Sequence, residues 1–156
     1  MKKQALKAVT MLVSIIALAF MTAVATNAQS GRQLLRANVP FDFVVGDKTL
    51  AAGEYNVAKI NQDATGIQVL GANNHQSALR LTSTVQANAP KNRAMLIFHR
   101  YGDRYFLAQV WTPGSAEGRE MSKSKAERAV ERELSRIASN KGGATAEIVT
   151  IYAEMQ

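Results

Sequence analysis

Two histidines, His75 and His99, are the side chains of this chain best suited to act as a base or a metal ligand near neutral pH. They lie apart, the chain has no Cys, and no H-E-x-x-H pair occurs, so no zinc-ligand spacing is present. His99 beside a carboxylate such as Asp103 or Asp42 would suit a small hydrolase. The simpler interpretation is a half-buried imidazole held by one hydrogen bond beside Phe106. We therefore predict neither a metal nor a cofactor.

Motifs for nucleophilic catalysis are equally weak. Ser122–Lys125 matches S-x-x-K, but the partner motifs S-D-N and K-T-G are absent, and the same residues suit the start of a helix. The segment PGSAEG is not a G-x-S-x-G elbow, and the scattered acids form neither a defined pair nor a calcium loop. We predict no catalytic residue and favour a non-catalytic role over an enzyme.

A first binding candidate combines aromatic and Arg side chains, which recognition surfaces favour. It lies at the tip of a predicted hairpin, with Trp111 at the far end. Ordinary cross-strand packing, with a cation–π pair between Arg100 and Tyr105, is the alternative. The tip residues are His99, Arg100, Tyr101, Arg104 and Tyr105.

A second binding candidate is a basic row on a predicted helix. Arg128, Arg132 and Arg136 recur every four residues and, with Lys123 and Lys125, would suit anionic lipid or glycan. Glu127, Glu131 and Glu133 lie among them, so the alternative is a mixed, solvated helix face.

The N-terminal segment predicts export. Lys2, Lys3 and Lys7 precede an uncharged apolar run of 18 residues, Ala8–Ala25, and small residues follow it. We expect a secretory signal peptide at residues 1–28 with cleavage after Ala28, or alternatively after Ala25. An uncleaved membrane anchor is the rival interpretation, since the run is just long enough to span a bilayer.

Export to the periplasm or the exterior limits the expected partners. Removing the three lysines of the signal segment lowers the net charge from +7 to +4, which is mildly basic. An anionic envelope component or a protein is the partner we expect, and nucleic acid is not. Because the chain has no Cys, its fold must rest on packing without disulfides.

Strand patterns begin at residue 38, after a polar lead-in at residues 29–37. Phe41, Phe43 and Val45 alternate at the period of a half-buried strand. Further strands are predicted at Glu54–Ile60, Gly66–Ala72, Gln76–Ala87 and Thr145–Met155. Residues 38–156 thus form a single β-rich domain.

The clearest unit is a hairpin at Arg93–Trp111, where two apolar runs flank Gly102 and Asp103. Gly at the first central position suits a type II′ turn. Both faces of this hairpin are largely apolar, which predicts a central position covered on both sides. One face would bear Met95, Ile97, His99, Phe106, Ala108 and Val110, and the other Leu96, Phe98, Tyr105 and Leu107.

One amphipathic helix is expected late in the chain, at about residues 124–140. Ser124 and Glu127 have the spacing of a capping box, and Ala126, Val130, Leu134 and Ile137 would share one face. With strands in succession before it, the chain is predicted to be mainly β, at the boundary with α+β. We expect an antiparallel sandwich or small barrel of about seven strands.

Three segments resemble a group of small exported bacterial proteins. They are VPFDFVVGDKTLAAGEY, LIFHRYGDRYFLAQVW, and the basic helix that follows GRE. The resemblance implies neither an activity nor a ligand. Ala51 departs from the group, which often has Pro there. The first segment is no phosphate loop, and we expect an irregular connection with Leu50 and Tyr55 packed inward.

These observations favour a non-catalytic exported β-domain that binds a partner or surface at the cell envelope. A carrier of an apolar small molecule in a sandwich or barrel cavity is one alternative. A small exported hydrolase that uses His99 is the other.

Overall fold

The computed structural model describes residues 34–60, 65–138 and 146–156. All of them belong to one unit, Arg32–Gln156. The predicted signal segment, its cleavage sites and most of the lead-in lie outside the described residues. Within these ranges, no helix combines the length and apolar character needed to cross a bilayer.

The described chain is mainly β, as predicted, with one late helix, α1 (Lys125–Ala138). Eleven strands are present among the described residues, four more than the seven expected. A turn divides the first hairpin, Thr82 interrupts one long predicted strand, and strands also form at Leu34–Val39 and Glu117–Glu120, where none was predicted. The strands are β1 (Leu34–Val39), β2 (Phe43–Val45), β3 (Lys48–Leu50), β4 (Gly53–Lys59), β5 (Gly66–Gly71), β6 (Ser77–Leu81), β7 (Ser83–Gln86), β8 (Ala94–Tyr101), β9 (Arg104–Trp111), β10 (Glu117–Glu120) and β11 (Glu147–Met155).

Nine of these strands form one curled sheet in the order β3-β2-β9-β8-β11-β1-β4-β5-β6. Neighbours are antiparallel except β2 and β9, which run parallel. β10 joins β9 to β7 beside this path. Because β6 at one end approaches β2 near the other, the sheet is a nearly closed barrel.

The first strand lies where the sequence predicted a polar lead-in. Leu35, Ala37 and Val39 are buried, and Arg36 and Asn38 between them are exposed. This is the alternation of a strand with one face on the core. β1 pairs with β4 on one side and β11 on the other, so it is a central strand of the barrel rather than a leader to it.

Aromatic rings fill the centre of the barrel. Phe43 meets Tyr55 edge-on with ring centroids 5.0 Å apart, and it meets Phe98 in the same way at 5.4 Å. All three residues are less than 2% exposed. Edge-to-face pairs add to the stabilisation from burial, so these rings tie β2, β4 and β8 together through the interior.

The hairpin of β8 and β9 has the predicted turn and the predicted register near its tip. Gly102 has φ of +61°, as the first position of a type II′ turn requires. A bulge then shifts the register, so that Ile97 faces Gln109 and Ala108 is the extra residue. The bulge reverses the alternation beyond it. Val110 therefore packs in the interior opposite Leu96, and its predicted place on the same face as His99 and Phe106 is wrong.

Both faces of this hairpin are covered, as predicted. Leu96, Phe98 and Leu107 belong to the barrel core. On the opposite face, Tyr101 and Phe106 form a second apolar cluster with Val130 of α1.

The connection between Gly46 and Tyr55 is a scaffold element that is held in place by hydrogen bonds around the Tyr55 hydroxyl. The Tyr55 hydroxyl donates to the carbonyl of Ala51 (2.6 Å) and accepts from Nδ2 of Asn74 (3.1 Å). The Ala51 N–H donates to Oε1 of Gln76 (2.9 Å), a bond that Pro at this position would lose. Leu50 and Tyr55 are fully buried, as predicted.

Replacing Tyr55 by Phe keeps the ring and removes the hydroxyl. We expect the free energy of unfolding to fall by about 1–3 kcal/mol, because the partners of a partly buried hydroxyl lose their hydrogen bonds. Urea unfolding followed by circular dichroism measures this. Tyr152→Phe is the control, since Tyr152 is 54% exposed, and should change stability by less than about 0.5 kcal/mol. Equal effects of the two substitutions would contradict a stabilising role of the hydrogen bonds made by the Tyr55 hydroxyl.

Candidate functional site

His99 is a half-buried imidazole whose partner is a helix residue. Its Nδ1 atom lies 2.7 Å from Oε1 of Glu127, and its side chain is 22% exposed. His99 also faces Phe106 across the hairpin. The geometry matches the simpler interpretation of His99, but the carboxylate is Glu127 rather than Asp103 or Asp42.

The start of α1 explains why Glu127 is available to His99. Oγ of Ser124 accepts from the Glu127 N–H (3.0 Å), which is the serine half of the predicted capping box. The glutamate half is not formed as predicted, because the carboxylate turns to His99 and to the Tyr101 hydroxyl (3.4 Å). Glu127 is only 4% exposed, so the helix start is joined to β8 through a buried polar contact.

The apolar side of α1 completes this contact. Val130 is buried against Tyr101 and Phe106, with Ala126 and Leu134 partly buried beside them. Ile137, predicted on the same face, is 66% exposed because the cluster that covers the helix ends at Leu134.

Two side chains beside the Glu127–His99 contact, Tyr101 and Lys123, have raised pKa values. Burial raises the pKa of Tyr101, and the neighbouring Glu127 carboxylate adds to the effect. The hydrogen bond with Glu131 raises the pKa of Lys123, whose Nζ lies 2.5 Å from Oε1 of Glu131. Lys123 is therefore engaged with an acid and does not extend the basic row.

The hairpin tip is accounted for by cross-strand packing. Arg100 lies over the Tyr105 ring at 5.5 Å, as the packing interpretation expects, and its Nη1 pairs with Glu147 at 3.2 Å. Tyr105 stacks on Phe41 at 3.8 Å. Arg104 lies over Phe106 at 5.5 Å, and Tyr101 is buried beneath α1. These side chains make their ring, ionic and packing contacts within the protein rather than project together toward a ligand.

Trp111 is a structural residue at the other end of the hairpin. It is 4% exposed, and its Nε1 donates to Oε1 of Gln109 (3.0 Å). Gly118 on β10 lies flat against the ring, where an added Cβ would come within 2.6 Å of it. The structure therefore does not bring Trp111 together with the tip residues.

The exposed side of α1 is more basic than its sequence indicates. Its exposed cations are Lys125, Arg128, Arg132 and Arg136, and we call these four residues the basic ridge. Glu127 and Glu131 are held by His99 and Lys123. Glu133 is thus the one acid among the exposed positions of the described helix. Because the ridge covers eleven residue steps, it is about 16 Å long.

Residues with metal-ligand chemistry do not converge in the described part of the chain. No group of three or more His, Cys, Asp or Glu side chains lies close enough there to hold an ion. The described residues therefore give no candidate metal centre.

Truncating Glu127 should loosen the helix from the barrel. We expect Glu127→Ala to cost about 1.5–3 kcal/mol, because it removes a charge-assisted hydrogen bond from a buried position. Glu133→Ala, on the exposed side of the same helix, is the matched control and should cost less than about 0.5 kcal/mol. Urea unfolding measures both changes. A loss for Glu127→Ala no larger than the control would contradict the buried contact.

Tyr101 predicts a pH dependence at alkaline pH. Because the folded state raises its pKa, the neutral phenol is favoured by folding. This contribution is complete below the ordinary value of about 10 and is lost as the pH rises through the folded value. In Tyr101→Phe, the free energy of unfolding should therefore decline less steeply than in the wild type between about pH 9 and pH 11.5. Parallel pH profiles would contradict the shift.

Comparison with known proteins adds no family to these observations. No protein-family model, no curated protein and no solved structure matches the chain. The resemblance carried by the two hairpin segments and the basic helix stays a prediction. Any functional conclusion must therefore come from the geometry of the chain itself.

Proposed function

We propose that this protein is a non-catalytic exported β-domain that binds an anionic component of the cell envelope through the basic ridge. The observation that supports this is the separation of charge on α1. Four cations are exposed with one acid, Glu133, that is unpaired among the described residues, while Glu127 is held inside by His99 and Glu131 is paired with Lys123 at the surface. Export to the periplasm or the exterior rests on the sequence pattern of residues 1–28.

Simple electrostatics makes the ridge adequate for reversible binding. Each Lys or Arg near an anionic lipid surface contributes about 1 kcal/mol, so four contribute about 4 kcal/mol. Salt screens such contacts, because the Debye length falls from about 10 Å at 0.1 M to about 3 Å at 1 M. Binding should therefore be strong at low ionic strength and weak at high ionic strength.

The attachment of α1 to the barrel matters for this role. The Glu127–His99 contact and the cluster around Val130 hold the helix in one orientation. A ridge that is already oriented loses less conformational freedom on binding than a flexible basic tail would. The barrel thus acts as a rigid support for the charged helix side.

Neither alternative gains a supporting observation. A carrier needs an internal cavity, and the described interior is occupied by Phe43, Tyr55 and Phe98 in ring contact. A hydrolase using His99 needs a nucleophile or a bound water at the free Nε2, and the contact of Nδ1 with the buried Glu127 is the one hydrogen bond of this ring among the described residues. A protein partner for the ridge remains an outcome that the experiment below separates.

Charge reversal of the ridge tests the proposal. The purified protein is mixed with vesicles of phosphatidylglycerol and, separately, of phosphatidylcholine, and sedimentation measures binding. We expect binding to the anionic vesicles only, with a loss of about 100-fold or more when Arg128, Arg132 and Arg136 become Glu. The matched control reverses three exposed cations elsewhere, Lys48, Arg93 and Arg104, and should retain most of the binding.

A second arm identifies the anionic component. Soluble alginate, an anionic polysaccharide, replaces the vesicles at the same ionic strength. Binding to alginate alone, lost in the ridge variant, would make the component a glycan rather than a lipid. Absence of binding in both arms, or equal losses in the ridge and control variants, would overturn the proposal and leave a protein partner as the explanation of the ridge.

A further inference from the structure

We infer that a second site, on the outer face of β1, β4 and β11, binds a neutral oligosaccharide. A polar cleft of about 430 Å³ lies on this face, away from the described helix. We call it the outer cleft. Its lining residues are Arg36, Asn38, Glu54, Tyr152, Glu154 and Gln156.

The outer cleft has no excess of positive charge, unlike the basic ridge. Arg36 is the one cation among its described lining residues, and it forms an ion pair with Glu54 and faces Glu154 across the β1–β11 pair. Two carboxylates against one cation disfavour an anionic ligand, and carboxylate oxygens can accept hydrogen bonds from hydroxyl groups.

The polar side chains of the cleft suit hydroxyl groups. The side chains of Asn38 and Gln156 have no hydrogen-bond partner among the described residues, and each amide offers donors and an acceptor. The ion pair with Arg36 lowers the pKa of Glu54, which keeps its carboxylate an acceptor. A sugar hydroxyl both donates and accepts, so it can pair with all of these groups.

Tyr152 supplies the apolar part of a sugar site. Its ring is 54% exposed on the outer face of β11, and Arg93 lies 4.2 Å from the ring centroid. The cation–π contact restricts the ring and covers one of its faces, so the ring offers a ligand its opposite face and its polar tip. A pyranose has the complementary form, with an apolar face of C–H groups and a rim of hydroxyls.

Titration with neutral oligosaccharides tests the site. The purified protein is titrated calorimetrically with the hexaoses of cellulose, xylan, mannan, laminarin, chitin and starch. We expect at least one to bind with a dissociation constant of about 1 mM or tighter. Tyr152→Ala should weaken that binding by about tenfold or more, and Tyr152→Phe should restore most of it because the ring is kept.

Control variants distinguish loss of binding at the outer cleft from loss of folding and from binding by the basic ridge. Asn38→Ala should also weaken binding, while Leu79→Ala, at an exposed apolar position on β6, should leave it unchanged. Circular dichroism confirms folding of each variant. Binding should also survive high salt and reversal of the ridge, so the two proposals fail independently. Absence of binding by all six hexaoses, or binding unchanged in both Tyr152→Ala and Asn38→Ala, would overturn the inference.

Discussion

The buried contact between Glu127 and His99 determines how α1 lies on the barrel. A carboxylate at 4% exposure is costly to bury unless it is paired. His99 satisfies it at 2.7 Å, and the Tyr101 hydroxyl lies nearby. This requirement selects one rotation of the helix, with Val130 inward and the Arg residues outward. The basic ridge is thus a consequence of where a single acid is neutralised.

The barrel beneath the helix depends on a bulge as much as on its aromatic centre. Without the extra residue Ala108, strict alternation would turn Val110 outward and leave Leu96 without its interior partner. The Ala108 carbonyl accepts from the Met121 N–H (2.8 Å), so the bulge also ties β9 to the chain that leads to α1. A local irregularity in one strand therefore joins the core, the helix and the segment between them.

The protein presents two outer surfaces of different character. The basic ridge is a line of like charges that attracts anions at a distance and is weakened by salt. The outer cleft has no excess of cations, and it contains amides, an ion pair and one exposed aromatic ring. Long-range attraction by the first and short-range recognition by the second would suit a domain held at a surface rich in both anionic groups and glycans.

Local features of this fold were determined by the sequence itself. Gly102 set the type II′ turn and the register of the hairpin as far as Leu107, and Ser124 set the start of α1. The alternation at Leu35, Ala37 and Val39 was also present, within a segment interpreted as a lead-in. These features depend on neighbouring residues, so φ preferences, caps and period-two patterns suffice to predict them.

Only the tertiary structure decided which distant residues meet. His99 and Glu127 are 28 positions apart, and Arg36 and Glu54 are 18 apart, with Tyr152 still more distant. The bulge escaped prediction because both faces of the hairpin are apolar, so hydrophobic alternation does not distinguish one register from its neighbour. Closure of the sheet depends on the packing of the whole chain, and so does the burial of Glu127 rather than Glu131 or Glu133. The exposed charge of the basic ridge and the set of residues that line the outer cleft follow from this packing.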